Sequence, residues 1–149
     1  MRLVQVILAP VAALGLTSIA AAHEVQYGAM LTGFAEIPSN APPATGDALV
    51  TVDLDLLTMR VQVSFAGLLG NTTASHIHCC TTVPGAANVG VATTLPTFTD
   101  FPLGVTSGTY DHTFDTALAT SYNSAIVTAN GSIGNAFSAF LAGMDTGNA

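Results

Sequence analysis

The sequence predicts a mainly β protein, an antiparallel β-sandwich or barrel-like single domain with a short C-terminal helical segment. Three observations predict it. Apolar and polar residues alternate with period two through much of residues 25–115, the spacing of strands that bury one face and wet the other. Gly, Pro and Asn punctuate these runs, as tight turns require. At 149 residues the chain has room for one modest core and not for two.

Residues 25–34 read as the first strand, closed by a Pro-rich loop over residues 38–46 that contains Pro42 and Pro43. Over residues 47–56, Ala48, Val50, Val52, Leu54 and Leu56 alternate with Asp47, Thr51, Asp53 and Asp55, and Leu49 is the one apolar residue on the wet side. After a short turn at Leu57 and Thr58, Met59, Val61, Val63 and Phe65 alternate with Arg60, Gln62 and Ser64, which completes a hairpin. Further strands are expected over residues 75–79, 88–93 and 108–115, the last with Tyr110, His112 and Phe114 on one face, for a total of six. Beyond residue 117 the chain turns to Ala and Ser. There Phe137, Phe140, Leu141 and Met144 recur at helical spacing, predicting a short helix capped by Asn135, ended near Gly143 and lying as a lid over one end of the sheet.

Composition narrows the function. Charged residues are 7% of the chain against roughly a quarter in typical domains, while hydrophobic ones are 50%. That balance is the opposite of a disordered chain. The only basic residues are Arg2 and Arg60, so no cationic patch exists for nucleic acid or for an anionic membrane surface. Residues 1–22 have the form of a secretory signal peptide: a positive start at Met1-Arg2, an apolar run and an Ala20-Ala21-Ala22 cleavage site. The mature domain is then residues 23–149, with one arginine against nine carboxylates, no transmembrane span, and a secreted, periplasmic or cell-surface location.

The two cysteines are neighbours, Cys79 and Cys80. Adjacent α-carbons lie about 3.8 Å apart across a trans peptide, below the usual disulfide range, so a bridge between them would be strained and cannot staple the fold. The pair reads as a vicinal disulfide, as two thiols beside a turn, or as metal ligands.

Candidate chemistry centres on His76-Ile77-His78-Cys79-Cys80. Residues two apart on a strand share a face about 6.6 Å apart, so His76 and His78 can turn both imidazoles toward one copper or zinc ion while Ile77 anchors the core. Zinc wants three or four protein ligands, so the pair needs help from Cys80, His112, a carboxylate or the new N-terminus. Cys80 lies roughly 13 Å from His76 along a straight strand and joins the site only if the chain bends. Cleavage after Ala22 would leave His23 with a free amine that can chelate copper beside its imidazole. The plain alternative is that these histidines are hydrogen-bonded strand residues. No G-x-S-x-G, phosphate loop or H-E-x-x-H is present. Asp53 and Asp55 read as surface solvation, with Arg60 able to pair with one of them.

Four stretches together resemble the CHRD domain, the module named after chordin: residues 31–38 (Leu-Thr-Gly-Phe-Ala-Glu-Ile-Pro), residues 44–48, the hairpin end Phe65-Ala66-Gly67-Leu68, and Ala74-Ser75-His76-Ile77-His78. The resemblance spans roughly residues 26–143, most closely with a bacterial exported subgroup in which His-Ile-His precedes Cys-Cys, a Pro84-Gly85 loop and the later Phe101-Pro102-Leu103-Gly104. It implies a β-sandwich-like fold, an extracytoplasmic location and little biochemistry. It also implies a final strand with an Asn-x-His pattern and a Gly-Gly-Glu-x-Arg-Gly ending, whereas the sequence given stops at Ala149. A sheet lacking that strand would present a new edge, and a homo-oligomer formed by strand exchange is then expected.

The leading expectation is therefore a non-enzymatic binding or surface-structural module whose partner is a protein or extracellular-matrix component, not nucleic acid. The alternative is a copper- or zinc-binding protein built on His76 and His78, with redox activity as its furthest form.

Overall fold

The computed structural model describes residues 23–36, 38–40, 43–84 and 88–149. The predicted signal peptide, residues 1–22, lies outside the described residues, as does part of the Pro-rich loop. Four strands form one open antiparallel sheet in the order β1-β2-β3-β4: β1 Glu24–Thr32, β2 Thr45–Asp53, β3 Thr58–Ala66 and β4 Gly108–Asp115. Two helices follow, α1 Ser124–Asn130 and α2 Ile133–Asp145. The protein is mainly β and a single small domain, as its alternating pattern predicts.

Register converts that pattern into a core. Val25 pairs Val52, which pairs Met59, which pairs Phe114; Tyr27, Val50, Val61 and His112 form the next row. One face of the sheet is therefore apolar along these rows apart from His112, and Val50, Val52, Met59, Val61, Tyr110 and Phe114 are buried. Each such side chain withdrawn from water contributes about 1.5–3 kcal/mol. The opposite face carries Thr51, Arg60, Gln62 and Asp111, where Arg60 donates from Nε and Nη2 to the two Asp111 oxygens at 2.7 and 2.5 Å. Arg60 thus pairs with Asp111 on β4 and not with Asp53 or Asp55. The guanidinium holds the Asp111 carboxyl below its ordinary range.

The hairpin turn begins earlier than alternation suggests. Asp53 is buried, and its Oδ1 accepts from the Asp55 and Leu56 N–H groups, each at 2.9 Å. That local bond competes with the ladder and pulls the chain out of the sheet after residue 53. Leu54 and Leu56 consequently leave the apolar stripe, and Leu56 is 72% exposed. Asp53 is a turn-holding residue and not surface solvation.

A second difference concerns the layer over the apolar face. Six strands in a sandwich or barrel are expected, but the β-ladder between residues 75–79 and 88–93 is reduced to an isolated antiparallel bridge between His78 and Val91. Side chains take over the ladder before residue 78: Thr93 Oγ1 accepts from Ile77 N at 3.0 Å, and Thr97 Oγ1 accepts from Ser75 N at 2.9 Å. The long connection from β3 to β4 thereby folds across the sheet as a looped layer. It supplies Phe98, which is 2% exposed and packs against Tyr110 and Phe114 with ring centroids at 5.9 and 5.3 Å. Phe101 joins them.

The helical region holds two helices instead of one. Asn123 caps α1 by accepting from Ala125 N at 3.0 Å, and Gly131 ends it with φ of 78°, a conformation suited to glycine. Ser132, not Asn135, caps α2, accepting from Asn135 N at 3.1 Å. The Asn135 side chain instead donates to the Asn130 carbonyl. Helix α2 continues past Gly143 to Asp145 and buries Ala136, Phe140 and Gly143, so it is the apolar lid its spacing predicts.

Candidate functional site

The looped layer does not cover the whole sheet. Between the apolar face of β1 and β2 and residues 75–78 lies a cleft of about 590 Å³, with Tyr27, Ala29, Val50 and Val61 on the sheet side and Phe98 and Met144 opposite. Both His76 and His78 line it. Hydrogen bonds around Ile77 hold this segment extended: Ile77 N donates to Thr93, and the Ala92 and Cys79 N–H groups donate to the Ile77 and Gly90 carbonyls. Ile77 packs against the core and lines the same cleft as its two histidine neighbours.

The two rings are fixed in opposite senses. His76 Nε2 lies 2.6 Å from the Pro96 carbonyl, and His78 Nδ1 lies 2.7 Å from the Val89 carbonyl. A carbonyl only accepts, so the ring nitrogen facing it must carry the proton. In the neutral rings the lone pairs are therefore at His76 Nδ1 and His78 Nε2. The ring centroids are 6.1 Å apart with planes at 85°.

The other predicted ligands are elsewhere. Cys79 and Cys80 form a vicinal disulfide, with a cis peptide between them and α-carbons 3.0 Å apart, so the trans geometry assumed from sequence does not apply. With its sulfur bonded to Cys79, Cys80 has no thiolate to offer a metal. His112 stands on the core face of β4, its ring 4.6 Å from Phe114 and 6.1 Å from Tyr110, and does not line the cleft. His23 sits at the β2–β3 turn, with Nδ1 3.3 Å from Asp55 Oδ1. Among the described residues no group of three or more His, Cys, Asp or Glu side chains is arranged to hold a metal ion. The structure brings together His76 and His78 and leaves the rest apart.

Two residues of the site have no signature as such in the sequence. Tyr27 donates from its hydroxyl to Asp145 Oδ1 at 2.6 Å and ties β1 to the end of α2. Burial, and then Asp145, push its phenol up to about 12. Met144 was legible only as part of the apolar stripe of α2, yet it lines the same cleft as the histidines. At this end of α2, Thr81 N also donates to the Asn148 carbonyl at 3.0 Å.

An open antiparallel sheet with a looped and helical cover and a preformed cleft is the build of a small binding or structural domain. The profile of the CHRD domain matches residues 27–140, and the chain belongs to the CHRD domain family. No curated protein and no solved structure matches it. Among the described residues no helix is long and apolar enough to cross a membrane.

Proposed function

We propose that the chain is a non-enzymatic binding module of the CHRD type, exported and acting outside the cytoplasm, which takes part of a cationic protein partner into its cleft. The cleft carries this reading: it is preformed, largely apolar, and has a few polar groups at its rim, the usual make-up of a binding site. Charge supports the sign of the partner. All nine carboxylates of the chain fall among the described residues, where Arg60 is the sole cation and is already engaged by Asp111; a surface of that sign steers basic partners. The outer edge of β1 has no strand partner among the described residues, so an extended segment of the partner can add to it while its side chains enter the cleft.

Short labelled peptides that alternate Val with Lys, or Val with Glu, test this by fluorescence anisotropy. The Lys peptide binds, weakens with salt and is displaced by Ala29→Trp, which fills the cleft from an exposed position on β1; the Glu peptide does not bind. Equal binding of the two peptides, or indifference to the filled cleft, refutes the reading.

One observation favours a second reading. Each imidazole of the pair spends a ring N–H on a backbone carbonyl, which is the outer-shell arrangement that orients metal-ligating histidines. On this reading His76 and His78 bind copper or zinc. Titration of the full chain beside the His76→Ala/His78→Ala double variant decides it: about one equivalent of metal is bound by the parent protein and lost in the variant.

A further inference from the structure

We infer that the cleft is a site for a soft monovalent metal ion, copper(I), held by His76 Nδ1 and His78 Nε2 with the Met144 thioether as third ligand. The inference rests on the second reading above and selects the ion. Three observations carry it.

The first is the identity of the open nitrogens. The Pro96 and Val89 carbonyls take His76 Nε2 and His78 Nδ1, so the ligating atoms differ between the two rings and both rings line one cleft.

The second is spacing. A metal bound about 2 Å from one nitrogen of each ring, with each nitrogen about 1 Å from its centroid, sets the centroids about 6 Å apart when the N–metal–N angle is straight and about 5 Å apart when it is tetrahedral. The observed separation is 6.1 Å. The separation therefore allows one ion between the two rings where both open nitrogens face it, and the choice of ion rests on the donor set.

The third is the donor set. Among the described residues no aspartate, glutamate or cysteine lines the cleft, and no third His, Cys, Asp or Glu joins the pair. Zinc would lack the three or four protein ligands it takes. Two neutral imidazoles with a thioether suit a soft ion of single charge, and Met144, partly buried against the core, is the thioether within the same cleft. The disulfide keeps both cysteine sulfurs from competing as thiolates.

Silver(I) is the probe, because it has the same d¹⁰ preference and needs no reductant that would open the Cys79–Cys80 bridge. The full chain is titrated in chloride-free buffer by calorimetry, and the histidine ring nitrogens are followed by long-range proton–nitrogen NMR. We expect one equivalent of silver(I), shifts at His76 Nδ1 and His78 Nε2, and zinc(II) binding weaker by at least about 100-fold. Met144→Leu lowers silver(I) affinity by about tenfold or more without changing the weak zinc(II) binding. The nitrogen shifts are read on the unaltered protein and do not depend on a variant folding. Zinc(II) binding as tight as silver(I) at the same two nitrogens overturns the soft-ion inference and leaves the metal reading standing. Absence of both ions, or silver(I) shifts at His23 or His112 instead, overturns both. An unchanged affinity in Met144→Leu overturns the three-ligand set.

Discussion

Gly143 of α2 lies directly over the vicinal disulfide: a β-carbon placed on it would stand 2.5 Å from the Cys79 sulfur and 2.6 Å from the Cys80 sulfur. The helix approaches the bridge that closely because this position has no side chain. The same end of α2 holds Met144 in the cleft and Asp145 against Tyr27, so the contact between helix and bridge sets one wall of the binding site.

Gly143→Ala is expected to destabilise the fold by about 1–3 kcal/mol through overpacking, whereas Gly134→Ala, on the same helix with open space around it, is neutral or gains up to about 1 kcal/mol. Urea unfolding of both variants checks the pair. An equal effect at the two positions would remove the close approach as the reason for glycine at 143.

Asp53→Ala removes the acceptor for two N–H groups in the β2–β3 turn. A loss of about 1–3 kcal/mol is expected, measured by denaturant unfolding. Asp55→Ala, whose carboxylate meets only the exposed His23, costs less than about 0.5 kcal/mol.

The helix cap is tested by Ser132→Ala against Asn135→Ala. Ser132 accepts from Asn135 N, so its loss costs about 1 kcal/mol. The Asn135 side chain makes only an exposed bond to Asn130, so its removal costs less. Thermal unfolding ranks the two variants.

All three tyrosines, Tyr27, Tyr110 and Tyr122, have phenols pushed up from 10.0 to about 12, each chiefly by burial. The folded state therefore holds more protons than the unfolded state between those values, and stability falls as pH rises through that window while being fully present below pH 10. Absorbance of tyrosinate should stay low through pH 10 and rise together with loss of the fold. A titration with an ordinary midpoint near 10 in protein that remains folded would contradict the burial argument.

The sequence by itself determined the mainly β class, the hairpin of β2 and β3, the faces of β4, the apolar stripe of α2 and the histidine pair. Each rests on periodicity, which is a local property read along a few residues: Val50 and Val52 share a face because strand side chains alternate, and Phe137 and Phe140 line a stripe because a helix turns every 3.6 residues. What only the tertiary structure decided depends on contacts between distant parts of the chain. Residues 75–79 alternate like a strand, but Thr93 and Thr97 capture two of their N–H groups, so the expected second sheet becomes a looped layer. Leu54 and Leu56 fit the apolar pattern until the Asp53 carboxylate turns the chain. The open nitrogens of His76 and His78 are chosen by the carbonyls of Pro96 and Val89. Met144 reaches their cleft because a glycine lets α2 settle onto the disulfide.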